Sequence, residues 1–333
     1  MLTPPMRLVA TTLLILPLIA TFGCSTRLDP TKPVSQRGST DSSAPLRAVE
    51  SPDGPGGGSP GFYPLQQGNH WDYAREFSVE VRPTSGPPSR FVFTSTIASD
   101  QTCVETVAGR AYLIERAVES GEGGPFLSWI RLRQDRSGLY EADIAGRPAC
   151  EGVALSSSMR SVDSGDDPDA SLRALAGKMP AGQQAAWLAA LQRDRDRRLE
   201  VRAALGLATS TARRAVSPPP GELLRLSYPL RTGAEWILRP DPDFTERVEG
   251  VDALHTPAGT LEGYRIRIRS SLFGEADQVF LWYGRKGFLQ LEGHFEGLAV
   301  DDQGNVYGTV VSEERQALTG LSLVDAPSEH LAP

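Results

Sequence analysis

The sequence predicts a mainly β fold, in which two duplicated antiparallel β units form a curved sheet or half-barrel, with a helical insertion between them. Three features lead to this prediction: a motif that occurs twice, strands in which apolar and charged residues alternate, and an Ala-, Leu- and Arg-rich stretch between the two copies. Gly and Pro residues interrupt the β-like segments at short intervals, which favours hairpins over crossover helices.

The repeated motif is Tyr-Pro-Leu-x-x-Gly-x-x-Trp. It begins at Tyr63 and again at Tyr228, so its tryptophans are Trp71 and Trp236. Repetition of five residues at fixed spacing indicates an internal duplication.

A strand is predicted where Tyr264, Ile266 and Ile268 alternate with three arginines, because a period of two puts the apolar groups on one face of a sheet. The same alternation recurs from Tyr112 to Arg116. The arginine face is either an anion-binding surface or a solvated face paired with carboxylates such as Glu246 or Glu275, and the second interpretation is favoured.

The insertion, residues 156–220, is rich in helix-forming residues and ends in a Pro-rich run. Trp187, Leu188 and Leu191 give its longer helix an apolar stripe that has to pack against something. A protein partner is one candidate for the surface that covers it.

The N-terminal segment has the order of a signal peptide: Arg7, an apolar run over residues 8–20, and the small residue Gly23 directly before Cys24. Residues 18–24 resemble a bacterial lipobox, which implies removal of residues 1–23 and acylation of Cys24. Ser25 follows the lipid site, so delivery to the outer membrane is expected. The apolar run is shorter than the roughly 18 apolar residues that suggest a membrane span, and no later segment approaches that length, so no permanent transmembrane helix is expected.

Residues 24–60 are dominated by Ser, Pro, Gly and Thr, a composition that predicts a disordered tether. The full sequence has a formal net charge of −7, which argues against nucleic acid as a partner. The expected partners are the membrane, through the N-terminal lipid, and an apolar ligand or an envelope protein.

The two remaining cysteines, Cys103 and Cys150, are expected to form a disulfide in an oxidising compartment. Two separate buried thiols are the alternative. No Cys/His cluster with zinc-ligand spacing is present in the sequence.

Four aromatic residues are candidates for lining a ligand pocket: Trp71, Trp236, Trp282 and Tyr283. Rings at positions where a turn leads into a strand more often belong to the core, and this alternative is favoured for the two repeated tryptophans.

No catalytic residues are assigned, because the sequence contains no nucleophile, P-loop, dinucleotide-binding or metalloprotease motif. An enzyme is therefore not expected, nor is a cofactor. Glu292, His294 and Glu296 would project from one face of a strand and are a weak candidate for a divalent metal site.

The two units resemble a family of uncharacterised secreted bacterial lipoprotein domains. The first copy has the family's opening residues, including Asn69 and Tyr73, and the second has its Thr-Pro-Ala-Gly-Thr segment at residues 256–260. The second copy departs from the pattern, with Ala234 and Leu238 in place of that Asn and Tyr. The resemblance implies the fold and says almost nothing about activity.

The chain is thus predicted to be an exported, lipid-anchored envelope protein, with its folded part in the periplasm or at the cell surface, that binds an apolar ligand or an envelope component through its β units. The alternative is a structural or interaction lipoprotein that docks a protein partner through the helical insertion. The predicted segments are a signal peptide (1–23), a tether (24–60), β unit 1 (61–155), the insertion (156–220), β unit 2 (221–325) and a tail (326–333).

Overall fold

A computed structural model describes residues 63–121, 125–142, 147–150, 170–205, 221–240 and 243–324. Those residues form twelve strands, two α-helices and one short 3-10 helix, Ala181–Gln183. The strands are β1 (His70–Pro83), β2 (Ser89–Val107), β3 (Arg110–Gly121), β4 (Phe126–Asp135), β5 (Gly138–Ala142), β6 (Glu222–Ser227), β7 (Glu235–Pro240), β8 (Asp243–Thr256), β9 (Gly259–Ser270), β10 (Gln278–Gly284), β11 (Gly287–Val300) and β12 (Val306–Ser322). The helices are α1 (Ala170–Ala176) and α2 (Gln184–Ala204).

All twelve strands belong to one antiparallel sheet with the order β6-β5-β4-β3-β2-β1-β12-β11-β10-β9-β8-β7. The first and last of these strands, β1 and β12, pair with each other at the centre of the sheet. The end strands β6 and β7 lie side by side, although no hydrogen-bonded ladder joins them within the described residues. The sheet therefore curls until it nearly closes, which confirms the prediction of a mainly β, curved antiparallel fold.

The two copies of the motif make the same turn. The amide of Gly68 donates to the carbonyl of Gln101 (2.8 Å), and the amide of Gly233 donates to the carbonyl of Val248 (2.7 Å). Both glycines have positive φ, 94° and 88°, a conformation that glycine adopts at little cost. These matches support the duplication, which itself stays a prediction.

The helical insertion lies between β5 and β6, which pair with each other. Residues 222–227, which the sequence-based boundary assigns to the second unit, thus extend the first half of the sheet. Helix α2 packs against β11 and β12. Its Trp187 and Leu191 are buried beside Phe77 and Val310, so the apolar stripe rests on the chain's own sheet.

The main core is shared by both halves. Trp71 and Leu132 from the first half belong to the same buried cluster as Trp236 and Phe295 from the second. A smaller cluster lies under the first part of α2. The two halves therefore do not have separate cores.

The predicted disulfide is confirmed: Cys103 and Cys150 are bonded, with their Cα atoms 6.2 Å apart. Cys103 lies opposite Ile114 on β3. Ile114 points away from the face that carries its neighbour Glu115, so the bond fastens Cys150 to the outer face of the sheet. The amide of Ala149 adds a hydrogen bond to Glu105 there (2.8 Å).

Candidate functional site

The inner face of the sheet is packed differently in its two halves. In the second half, side chains such as Ile266, Ile268 and Leu281 are at most 1% exposed, so this half fills its own interior. In the first half, the inward-facing Phe126 and Ile130 are only partly buried and lie beside a cavity of about 80 Å³. A water molecule needs roughly 10–15 Å³ of such space, so the cavity can hold several waters or a small organic group.

Strands β2 to β5 provide most of the cavity wall, and β1, α2, β6 and β10 to β12 contribute further residues. The apolar and aromatic lining side chains are Tyr63, Tyr73, Ile97, Ala117, Phe126, Ile130, Leu132, Leu139, Leu205, Tyr283 and Phe288. The polar lining side chains are Ser99, Glu115, Glu119, Ser128, Arg202, Arg225 and Gln316. A largely apolar wall with a few polar groups is typical of small-molecule sites.

Glu115 is the most deeply buried carboxylate on this wall, with 8% of its surface exposed. It accepts hydrogen bonds from the hydroxyls of Tyr63 (2.7 Å) and Ser99 (2.8 Å). Burial raises the pKa of Glu115, and these neutral donors together with the more distant Arg225 offset the rise only in part.

A network of two carboxylates and two guanidinium groups forms the second polar part of the site. Arg75 donates to Glu119 (2.6 Å) and to Glu314 (2.8 Å). Arg202, near the end of α2, donates to the same Glu314. Burial alone would raise the pKa of Glu314, but Arg202 and Arg75 outweigh it and lower that pKa to about 2. The network therefore holds α2 to the sheet as a balanced set of charges.

Arg225 on β6 forms the third polar group. It pairs with Glu141 (2.7 Å) and donates to the carbonyls of Ala204 and Leu205 at the C-terminal end of α2. A cation is favourable at that end of a helix, where carbonyls lack helical partners. Arg225 thus fixes the end of α2 over the cavity.

Glu246 on β8 also points inward, opposite Trp236 of β7 in the register, but it is not among the cavity-lining residues. Both are buried, and within the described residues neither Glu246 Oε2 nor Trp236 Nε1 has a hydrogen-bond partner. Burial raises the pKa of Glu246 to about 8, against the attraction of Arg225.

Of the four aromatic residues proposed to line a pocket, Tyr283 lines the cavity. The three tryptophans are instead core residues, each at most 7% exposed. The indole N–H of Trp71 on β1 donates a hydrogen bond to the carbonyl of Lys286 in the β10–β11 turn (2.7 Å). This ring therefore links the first half of the sheet to a hairpin of the second half.

The metal candidate on β11 has no ligand-like geometry. His294 Nε2 lies 3.2 Å from Glu296 Oε1, whereas Glu292 accepts a hydrogen bond from Gln290 (2.7 Å). In the part of the chain that the structure describes, no group of three or more His, Cys, Asp or Glu residues is arranged to hold a metal ion.

The arginine ladder of β9 pairs with carboxylates of the neighbouring strand, but not with those named from the sequence. Arg265 lies 3.4 Å from Asp252 and 3.6 Å from Glu249, and Arg267 lies 3.8 Å from Glu249. A bulge between Val248 and Gly250 explains the difference, because it reverses the faces of the residues on either side of it.

The inward-facing charges were not found from the sequence. The alternation from Tyr112 to Arg116 suggested an apolar inner face, yet Glu115 faces the cavity while Tyr112 and Ile114 lie on the opposite face. The pairing register of β3 with β2 and β4 decides which side chains face inward, since a shift of one residue exchanges the two faces. A single sequence does not give this register.

Among the described helices, none is long and apolar enough to cross a membrane. The predicted signal peptide, the lipid site at Cys24 and the tether lie outside the described residues.

No family model matches the chain, and no curated protein matches it. Among solved structures, it is similar to a candidate lipoprotein from Parabacteroides distasonis ATCC 8503, with 13% identity and a TM-score of 0.29 over 78% of this chain and 98% of that one. It is also similar to a candidate exported protein with a YmcC-like fold from Bacteroides fragilis NCTC 9343, with 8% identity and a TM-score of 0.29 over 79% and 99% of the two chains. A third similarity is to lipovitellin, from a structure concerned with lipid–protein interactions, with 9% identity and a TM-score of 0.24 over 80% of this chain and 26% of that one. Similarities of this size leave the function to be argued from the chain's own residues.

Proposed function

We propose that this chain is a non-catalytic lipoprotein of the bacterial envelope, held at the outer membrane by a lipid on Cys24, and that its β units bind an apolar ligand or envelope component. The order of charged, apolar and small residues before Cys24 supports the anchoring. The cavity on the first half of the sheet is the proposed binding site.

The proposal rests on the difference in packing between the two halves of the sheet's inner face. Protein interiors are normally filled to the density of organic crystals, as the second half of this sheet is. The first half leaves partly exposed Phe126 and Ile130 on the inner face, beside Ala117 and Ser128, which are too small to fill the space. An apolar ligand placed there would bury this surface, which is a favourable change of roughly 25 cal/mol per Å².

Native mass spectrometry of the full chain, purified from its own envelope, tests the binding. We expect a retained small molecule on the wild-type chain and its loss from Ala117→Phe, because the new ring fills the cavity from β3. Ala111→Phe is the matched control: it adds the same ring to the same strand at an exposed position and should keep the ligand. A wild-type chain without bound ligand, or equal retention in both variants, would contradict the proposal.

The anchoring is tested separately with Cys24→Ser. The wild-type chain should sediment with membranes and carry the mass of an acylated N-terminal cysteine, whereas the variant should do neither. An unmodified Cys24 in membrane-bound wild-type protein would refute this part of the proposal.

The alternative, a protein partner docked on the helical insertion, is not favoured by the described residues. Its motivating feature was the apolar stripe of α2, and Trp187 and Leu191 of that stripe are covered by the sheet.

A further inference from the structure

The inward-facing carboxylates differ in whether an arginine neutralises them. Glu119 and Glu314 share Arg75 and Arg202, as described above. Glu115, in contrast, forms no ion pair with an arginine or lysine in the described part of the chain; its donors are neutral hydroxyl and amide groups. The wall of the cavity therefore carries one acidic group whose charge has no adjacent counter-charge.

Aromatic rings surround the same part of the cavity. The ring centroids of Tyr63 and Tyr283 are 6.4 Å apart, those of Tyr283 and Phe288 are 5.4 Å apart, and those of Tyr73 and Phe288 are 5.5 Å apart. All four residues line the cavity together with Glu115. A cation close to such ring faces is attracted by their quadrupoles, an effect that increases when water is excluded.

A further acceptor lies in the cavity wall. Gln316 on β12 is 2% exposed, and its Oε1 has no hydrogen-bond partner among the described residues. Leaving a buried acceptor unpaired costs roughly 1–3 kcal/mol. A donor on a ligand would remove that cost, and an ammonium group carries several donors and no acceptor.

We propose that the cavity takes the ammonium group of its ligand, with Glu115 as the counter-charge and the tyrosine and phenylalanine rings as its aromatic surroundings. This inference rests on the proposed function and specifies the polar end of the ligand. The shared chemistry is a primary ammonium on a short apolar chain, and it comes either from a free amine or from a lipid headgroup. A cavity of about 80 Å³ has room for a primary ammonium on a short chain but not for a bulky polar headgroup.

The full chain in phosphatidylglycerol nanodiscs, titrated calorimetrically with n-butylammonium chloride and with its neutral counterpart butan-1-ol, tests the inference. The wild-type chain should bind butylammonium at least tenfold more tightly than butan-1-ol. Glu115→Gln keeps the size of the side chain and one of its two acceptor oxygens, removes the negative charge, and should abolish this preference. Glu246→Gln removes another buried inward-facing carboxylate that does not line the cavity, so it should keep the preference.

A pH series on the wild-type chain gives a second readout that does not depend on a variant folding. The raised pKa of Glu115 means that ammonium binding requires loss of a proton, so butylammonium affinity should rise as the pH increases from the ordinary carboxylate pKa of 4.5 through the raised pKa, while that of butan-1-ol stays constant. Tyr63, Tyr73, Tyr283 and the more distant Arg225 also face Glu115, and the pKa of each is raised above its ordinary alkaline value, so none of them loses its proton in the acidic to neutral range.

The possible results are distinguishable. Equal affinity for the two probes, or a preference that survives Glu115→Gln, overturns the ammonium site and leaves the apolar cavity. Binding of neither probe overturns both proposals. With binding established, weaker butylammonium affinity in phosphatidylethanolamine nanodiscs than in phosphatidylcholine nanodiscs, which have the same net charge, identifies a lipid headgroup as the competing source, and equal affinity in the two identifies a free amine.

Discussion

Replacing Glu246 by Gln is expected to stabilise the folded chain by an amount that grows with pH. Burial raises the pKa of Glu246 from its ordinary value of 4.5 to about 8, so the folded state keeps this proton over a range in which the unfolded state loses it. The free energy of unfolding of the wild-type chain therefore falls as pH rises from about 4.5 to about 8, and this contribution is constant above that range.

The magnitude follows from the shift. Each pKa unit corresponds to about 1.4 kcal/mol, so, relative to low pH, the proton that the folded state retains on Glu246 lowers the free energy of unfolding by about 3 kcal/mol at pH 6.5 and about 4 kcal/mol at pH 8. Gln cannot ionise and avoids this cost. Any penalty from an unpartnered amide beside Trp236 is the same at every pH. The pH dependence of the difference in free energy of unfolding between wild type and Glu246→Gln therefore reports on the carboxyl group alone.

Denaturant unfolding of the wild-type and Glu246→Gln chains at pH 4, 6.5 and 8 measures this difference. Glu292→Gln is the control, because the partly exposed Glu292 on β11 should change stability by less than about 0.5 kcal/mol. A difference between wild type and Glu246→Gln that is the same at all three pH values would refute the reasoning about burial.

Three further predictions concern the disulfide, the first repeated tryptophan and the charge network. Replacing Cys103 and Cys150 by Ala should lower the free energy of unfolding by about 4 kcal/mol in the chain-entropy model for a separation of 47 residues, and a reductant should then have no effect on the midpoint of denaturation. Trp71→Ala should cost about 3–5 kcal/mol, since this fully buried ring closes the sheet; Trp71→Phe, which keeps an aromatic ring, should cost less in the same unfolding measurement. Arg202→Met should cost roughly 1.5–3 kcal/mol at pH 7, the range for one hydrogen bond to a charged group, because Glu314 keeps Arg75 as a partner. Because the pKa of Glu314 is lowered to about 2, its share of wild-type stability is lost as pH falls from about 4.5 to 2, and Arg202→Met should weaken this acid sensitivity.

The fold class followed from the sequence because it depends on local patterns. The alternation at Tyr264 to Ile268 sets a strand with Ile266 and Ile268 in the core, and both are buried as predicted. The repeated glycines of the motif form the turns that precede β1 and β7. The disulfide required only two remaining cysteines and an oxidising compartment.

The candidate site depended on information that is not local. A bulge on β8 turns Glu246 inward and leaves Glu249 to pair with the arginines of β9. Glu115 faces the cavity because of its register with β2 and β4, and Arg202 reaches Glu314 only through the docking of α2. Each of these placements is decided by strand pairing across the whole sheet rather than by neighbouring residues.

The pairing of β1 with β12 constrains the order in which the sheet can assemble. The ladder from His70–Ser322 to Pro83–Gly308 joins the first and last of the described strands, so one side of β1 stays unpaired until β12 is available. A chain that stops before Val306 keeps two open edges, on β1 and β11, and such edges recruit strands from other molecules. The sheet is therefore most open to misassembly in the interval before its seventeen-residue strand β12 has paired.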